Sequence, residues 1–366
     1  MSPEDTITPA QAAMIAGIGI VAGGIYLWPQ PTIQAGGQTA GWAVLAAGPM
    51  MMAALALWNA LLRPWRGSDL GTVLSAALGL LGRLLTWWYA VLLILYMAAV
   101  GSLFGTLSSE VLAPRTPAPI FIVFAAGVGA WAATLRLPTL GRLAQLWATI
   151  AGVLTIAIGA VGVRNLHWPS ATLPVIPLHL APVVNAMLRE VYLWVPYPLL
   201  LTLVRRTNSP FRHVPRAVWI SVWAQWALLI WLYALTVGTL GTWPVRELRW
   251  PTVFVYELIE VSSFLITQVG VLVVVVWTVV FITFWAANMW HIGVLLRGKA
   301  RAADPRVVLA ASALSVALGC VLQLFPAFTT QLLSADLSVA IALWTATSLG
   351  CLGVRVLVGR RASLGS

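Results

Sequence analysis

A chain of 366 residues in which 60% are hydrophobic and only 8% charged carries far less charge than the roughly 25% of ordinary soluble domains. That composition excludes a water-soluble fold, because no single core hides so much apolar surface. The excess of 21 Lys and Arg over 10 Asp and Glu raises the question of nucleic acid, but the basic residues sit in short loops between apolar runs, not in a patch.

The 20 Trp fit a membrane, since indoles favour its water boundary and also fill helix contacts. Cys320 and Cys351 lie inside apolar runs and read as inert thiols. Met1 to Thr8 carries Glu4 and Asp5 but no basic segment, so the first helix is expected to stay as its own insertion signal.

An apolar run of about 20 residues crosses a hydrocarbon core about 30 Å thick. Ten such runs follow in chain order: 8–33, 40–62, 81–107, 119–135, 143–163, 175–204, 217–240, 263–296, 307–324 and 337–358. The expected fold is an all-α polytopic membrane protein of about ten transmembrane helices, a single domain over 1–366. Lys and Arg collect on the cytoplasmic side of such proteins. With the N-terminus inside, sixteen basic residues, among them Arg205, Arg206 and Arg297, fall at cytoplasmic ends. Only Arg115, Arg164, Arg246 and Arg249 fall opposite, and Arg189 lies within a run. Both termini are therefore expected in the cytoplasm.

Breaks in membrane helices point to cavities, because backbone groups stay unpaired only where protein or water replaces their partners. Run one contains Gly17-Ile18-Gly19, then Gly23-Gly24, Pro29 and Pro31, so its middle is poorly suited to a continuous helix. Run six holds Pro174, Pro177, Pro182, Pro196 and Pro198, with Asn185, Arg189 and Glu190 at membrane depth. The two runs occupy corresponding places in two five-helix halves, 8–163 and 175–358. That pairing predicts an inverted repeat with a ligand site between discontinuous spans one and six. Close helix packing is the alternative reading of each glycine.

A charge at the bilayer centre costs at least about 2.5 kcal/mol on insertion scales, so it is normally paired or faces a cavity. Two readings stay open for Arg189 and Glu190. Either they neutralise each other and pin the break, or Glu190 faces the cavity as a proton, cation or amine site. Glu257 and Glu260, three apart, are either a solvated face or a cation-attracting vestibule. His167, His179, His213 and His291 show no metal-ligand spacing, and no nucleophile elbow, P-loop or CxxC motif occurs. No metal, no cofactor and no enzyme activity are expected.

Ordered motifs carry a family resemblance. They are Ile7-Thr8-Pro9-Ala10-Gln11, Gly17-Ile18-Gly19-Ile20, Pro29, Gly41-Trp42, Leu80 to Leu84, Arg115-Thr116-Pro117, Arg142, Glu190 within Arg189 to Pro198, Arg249-Trp250-Pro251-Thr252, and Trp277. Together they resemble the membrane-embedded B subunit of bacterial spore germinant receptors, in the amino acid/polyamine/organocation transporter superfamily. The sequence departs from that pattern at Leu188 and Arg189 and at Thr267 and Gln268.

The resemblance implies a fold like bacterial leucine transporters in the inner membrane of a spore. It implies a subunit that binds a small nutrient, often an amino acid, and acts with A and C subunits to trigger ion release and germination. Backbone N–H groups near Gly17, Ile18 and Gly19 would hold a carboxylate, and the run-six break with Glu190 would hold an amine. A proton- or sodium-coupled amino-acid transporter and a nutrient-gated cation channel are the competing functions. Arg189 would favour an anionic or non-amino-acid nutrient instead.

Overall fold

The computed structural model describes residues 6–62, 65, 69–165, 180–207, 216–259, 269–297 and 303–364. In chain order the helices are α1 (Pro9–Val21), α2 (Gln30–Gly36), α3 (Ala40–Leu62), α4 (Leu70–Leu78), α5 (Leu80–Val111), α6 (Ala118–Ala133), α7 (Leu137–Gly162), α8 (Leu180–Glu190), α9 (Tyr197–Val204), α10 (Arg216–Leu240), α11 (Thr242–Glu247), α12 (Pro251–Glu257), α13 (Val269–Arg297), α14 (Pro305–Leu322), α15 (Pro326–Gln331) and α16 (Ser338–Leu364). Among the described residues there is no strand, only a parallel bridge between Ile7 and Thr207.

Local chemistry sets several helix starts. Thr8 caps α1 through a reciprocal box: its hydroxyl accepts from the Gln11 N–H at 3.2 Å, and the Gln11 side chain accepts from the Thr8 N–H at 2.9 Å. Asp304 caps α14 by accepting from the Arg306 N–H at 2.9 Å. Proline at the first turn opens α1, α6, α7, α12, α14 and α15, where its missing N–H costs nothing.

Seven helical stretches among the described residues are long and apolar enough to cross a membrane, or up to eight if α8 and α9, bent by 47° about their junction, form one span. Large apolar side chains such as Val153, Leu343 and Leu357 are exposed on the outer faces of these helices, and Val123 and Phe124 on that of the shorter apolar helix α6. A water-soluble monomer hides such a belt. The chain is a multi-pass helical membrane protein. Tryptophans stitch the interior: Trp226, Trp285 and Trp344 donate to the Val44 carbonyl, the Ser312 hydroxyl and the Leu85 carbonyl.

The structure differs from the sequence reading in three places. The first helix runs unbroken through Gly17 and Gly19 to Val21, and the chain leaves it only at Ala22–Pro29. The reason is packing, since Gly17 gives close approach to Gln225 without unwinding, and Gly19 stands in ordinary contact with Leu199 and Pro196. Run three is preceded by the separate helix α4, and Gly79, at a φ of 61°, makes the sharp reversal between α4 and α5. Run ten starts eleven residues earlier than expected, at Pro326, because a π-helical turn over Leu332–Leu337 joins α15 to α16. The stretch after run seven, where Glu257 is read on a helical face, holds the short helices α11 and α12. Pro174, Pro177, His167, His179, His213, Glu260, Thr267 and Gln268 lie outside the described residues.

One end of the bundle is tied by α9. The Ile7 N–H donates to the Arg206 carbonyl at 3.0 Å. The Arg206 side chain grips Asp69 with two bonds, Nε to Oδ1 at 3.2 Å and Nη2 to Oδ2 at 2.8 Å. Arg205 donates to the Trp65 and Leu62 carbonyls at 2.8 and 3.4 Å, and burial lowers its pKa to about 10, which leaves it charged at neutral pH. These bonds join the start of α1, the end of α3 and the start of α4. Removing one partner of a buried pair costs more than the pair itself contributes. We expect Asp69→Asn to destabilise the chain by about 3 kcal/mol, read as a lowered melting temperature in detergent, with partial recovery in Asp69→Glu.

Candidate functional site

Interrupting a helix inside a membrane frees carbonyls that lipid cannot satisfy. In span one the segment Ala22–Pro29, wholly buried, turns between α1 and α2. In span six the chain passes from α8 through a 3-10 turn over Val191–Trp194 into α9. Tyrosine hydroxyls bond across these breaks, and the Gly24 carbonyl also accepts from the Leu27 and Trp28 N–H groups at 3.1 Å. The Tyr96 hydroxyl donates to the Gly23 carbonyl at 3.2 Å, and the Tyr192 hydroxyl to the Gly24 carbonyl at 3.3 Å. Tyr89 donates to the Val195 carbonyl and Tyr26 to the Val100 carbonyl, both at 3.3 Å. Tyr89 and Tyr96 stand seven apart on α5, hence on one face. A single helix thus holds both breaks.

Glycine is required where these rings arrive. A Cβ on Gly23 would lie 1.8 Å from the Tyr96 hydroxyl, and one on Gly24 would lie 2.4 Å from the Tyr192 ring. On the far side, the Thr252 hydroxyl donates to the Trp28 carbonyl, and Gln30 and Gln34 donate to the Arg246 carbonyl at 3.1 and 2.9 Å. Arg249 pairs with Glu110 at 2.7 Å and stacks over Trp250, whose indole N–H also reaches Glu110. Helices α11 and α12 therefore cover that end of the broken span.

Glu190 ends α8, is 0% exposed, and neither carboxyl oxygen has a hydrogen-bond partner among the described residues. It lies within electrostatic range of the Tyr192 and Tyr233 hydroxyls. Arg189 does not pair with it: adjacent helical residues point about 100° apart, and Arg189 shares with exposed Asn185 the side of α8 turned away from the interior. Neutralisation of Glu190 by Arg189, one of the two readings of the sequence, does not occur. Glu257 is exposed at the end of α12, and burial against its neighbours raises its carboxyl above the ordinary value.

A cavity of about 470 Å³ lies along span one, from the first half of α1 to Ala22, Ile25 and Tyr26 of the break, against helices α7, α10 and α13. Gly17 and Ile18 line it, whereas Gly19 faces Pro196 and Leu199. The six residues singled out in the sequence are thus distributed over three surroundings: Gly17 and Ile18 on the cavity, Gly19 and Glu190 in packed interior, and Asn185 and Arg189 on an outer side of α8. Missed by sequence reasoning were the tyrosines and the polar pair Ser221 and Gln225. The spacings of seven between Tyr89 and Tyr96 and of four between Ser221 and Gln225, each within an apolar run, were the available signals.

Gly23→Ala should abolish folded protein on size exclusion, since the added methyl meets the Tyr96 hydroxyl. Tyr96→Phe, which removes only the bond to the Gly23 carbonyl, should cost about 1–2 kcal/mol of thermal stability.

The family model described as spore germination protein matches residues 6–300. No curated protein matches the chain.

Proposed function

This chain belongs to the spore germination protein family, and from that membership and its paired breaks we propose that it is the membrane subunit of a spore nutrient receptor. It binds a small nutrient, an amino acid by class, in the interior between the two broken spans. Acting with A and C subunits, it then triggers ion release and germination. In this reading ten helices form two inverted five-helix repeats, 8–163 and 175–358, as in bacterial leucine transporters. Both termini face the cytoplasm from the spore's inner membrane. The subunit takes no metal or cofactor and catalyses no reaction.

The observation that carries the reading is Glu190, a fully buried carboxyl without a hydrogen-bond partner among the described residues, set where α8 breaks. A carboxyl kept unpaired at membrane depth is costly unless it serves a ligand or a proton. Small nutrients with an ammonium group supply the missing donor. The same carboxyl supports a second reading, proton-coupled amino-acid transport, in which it carries the coupling proton.

Vesicles holding the purified chain separate the two. The receptor reading expects labelled amino acid to bind without accumulating, with affinity reduced about tenfold in Glu190→Gln, equivalent to about 1.4 kcal/mol. Accumulation driven by an imposed proton gradient and abolished by Glu190→Gln overturns it in favour of transport. Nutrient-dependent current across a voltage-clamped bilayer overturns it in favour of a channel.

A further inference from the structure

Two opposite charges stand on the outside of the bundle at the level of the span-six break. Half-buried Arg189 and exposed Asn185 lie on the outer side of α8, beside exposed Leu188. Asp336 is exposed in the π-helical turn Leu332–Leu337, which packs against α8 and against the 3-10 turn Val191–Trp194. That packing brings Asp336 to the depth of the break, inside the 32-residue apolar stretch Pro326–Leu357. Val339 and Leu343, further along the same stretch, are exposed too, so the charges are set in an apolar surface.

Neither charge has an ion-pair or hydrogen-bond partner among the described residues, and the two do not bond to each other. Charged side chains at membrane depth normally pair, or face the bundle interior or water. An arginine can extend its guanidinium along the helix toward water, but an aspartate has too short a stem to do so. Lipid headgroups therefore do not account for Asp336. A surface that carries one free cation and one free anion is complementary to itself. A two-fold axis between them sets each against the opposite charge of a second copy. Away from water such pairs attract strongly, since little screens them.

We propose that the face formed by α8 and the π-helical turn of span ten is where two copies of the chain meet in the membrane, Arg189 of each copy paired with Asp336 of the other. Leu188, Val339 and Leu343 pack around the two pairs and keep water from them. Asn185, one helical turn from Arg189, adds a hydrogen bond across the interface. The interface goes beyond the nutrient reading, because Glu190 is buried on the inner side of α8 and takes no part in it. It holds whether or not Glu190 serves a nutrient.

The test co-expresses two full-length copies carrying different epitope tags and measures how much of one tag is recovered on the other after extraction in mild detergent. Wild-type copies should recover each other. Arg189→Glu in both copies, or Asp336→Arg in both, should cut recovery about tenfold, the equivalent of about 1.4 kcal/mol. One copy bearing Arg189→Glu and the other bearing Asp336→Arg should recover each other to within about twofold of wild type, since every pair across the axis is again opposite in sign. Melting temperatures of the separate variants are the folding control. Arg189→Gln and Asp336→Asn, each expected to lower recovery about tenfold, stand in for a variant that does not fold. Wild-type copies that do not recover each other, single variants that recover as wild type does, or a mixed pair no stronger than either variant alone would each overturn the proposal.

Discussion

Lipid offers no hydrogen bonds, so every carbonyl released by a helix break must find a partner inside the protein. The centre of this molecule is arranged around that requirement. Tyr96 and Tyr192 close on consecutive glycine carbonyls in span one, Tyr89 closes on Val195 in span six, and Tyr26 reaches back to α5. The rings can approach only because positions 23 and 24 lack side chains. Breaks, glycines and tyrosines are therefore one device. A change at Tyr96 takes the hydroxyl from the Gly23 carbonyl, whereas the Gly24 carbonyl keeps its bonds from the Leu27 and Trp28 N–H groups when Tyr192 is lost.

The two ends of span one are fixed by different chemistry. At its start, which the Thr8 box caps, the bridge between Ile7 and Thr207 joins it to the end of α9, and Arg206 carries the tie onward to Asp69. At its far end, Thr252, Gln30 and Gln34 join it to α11 and α12. Between these anchors the span lines one apolar cavity, through Gly17 and Ile18 of α1 and through Ala22, Ile25 and Tyr26 of the break.

Much of this was legible in the residues. Hydropathy alone gave the membrane character, and the Gly and Pro content marked spans one and six as the interrupted pair. The position of the first break was not legible, because glycine serves two purposes in a membrane helix. At 17 and 19 it permits close packing inside an intact helix, and at 23 and 24 it admits tyrosine rings from other elements; only the partners, remote in sequence, distinguish the two cases. Arg189 and Glu190 look like a pair when written side by side, yet helical geometry turns one outward and the other inward. The bonding of the Gln225 amide depended on a hydroxyl, Ser221, whose hydrogen is committed to the Ala13 carbonyl of a third element. Such satisfaction relays leave no trace in composition or spacing beyond an i, i+4 polar pair.

The claim that the Gly23-Gly24 segment is held by tyrosine, while Gly17 and Gly19 are ordinary helix, has a direct readout. Only three Gly-Ile peptide bonds occur in the chain, at 17–18, 19–20 and 24–25. Labelling with carbonyl-¹³C glycine and ¹⁵N isoleucine therefore isolates three carbonyl signals in a solid-state NMR spectrum of the protein in bilayers. The account predicts that Gly17 and Gly19 show helical shifts, that Gly24 stands apart, and that Tyr192→Phe moves the Gly24 signal alone. Three helical signals, all unmoved by Tyr192→Phe, would contradict it.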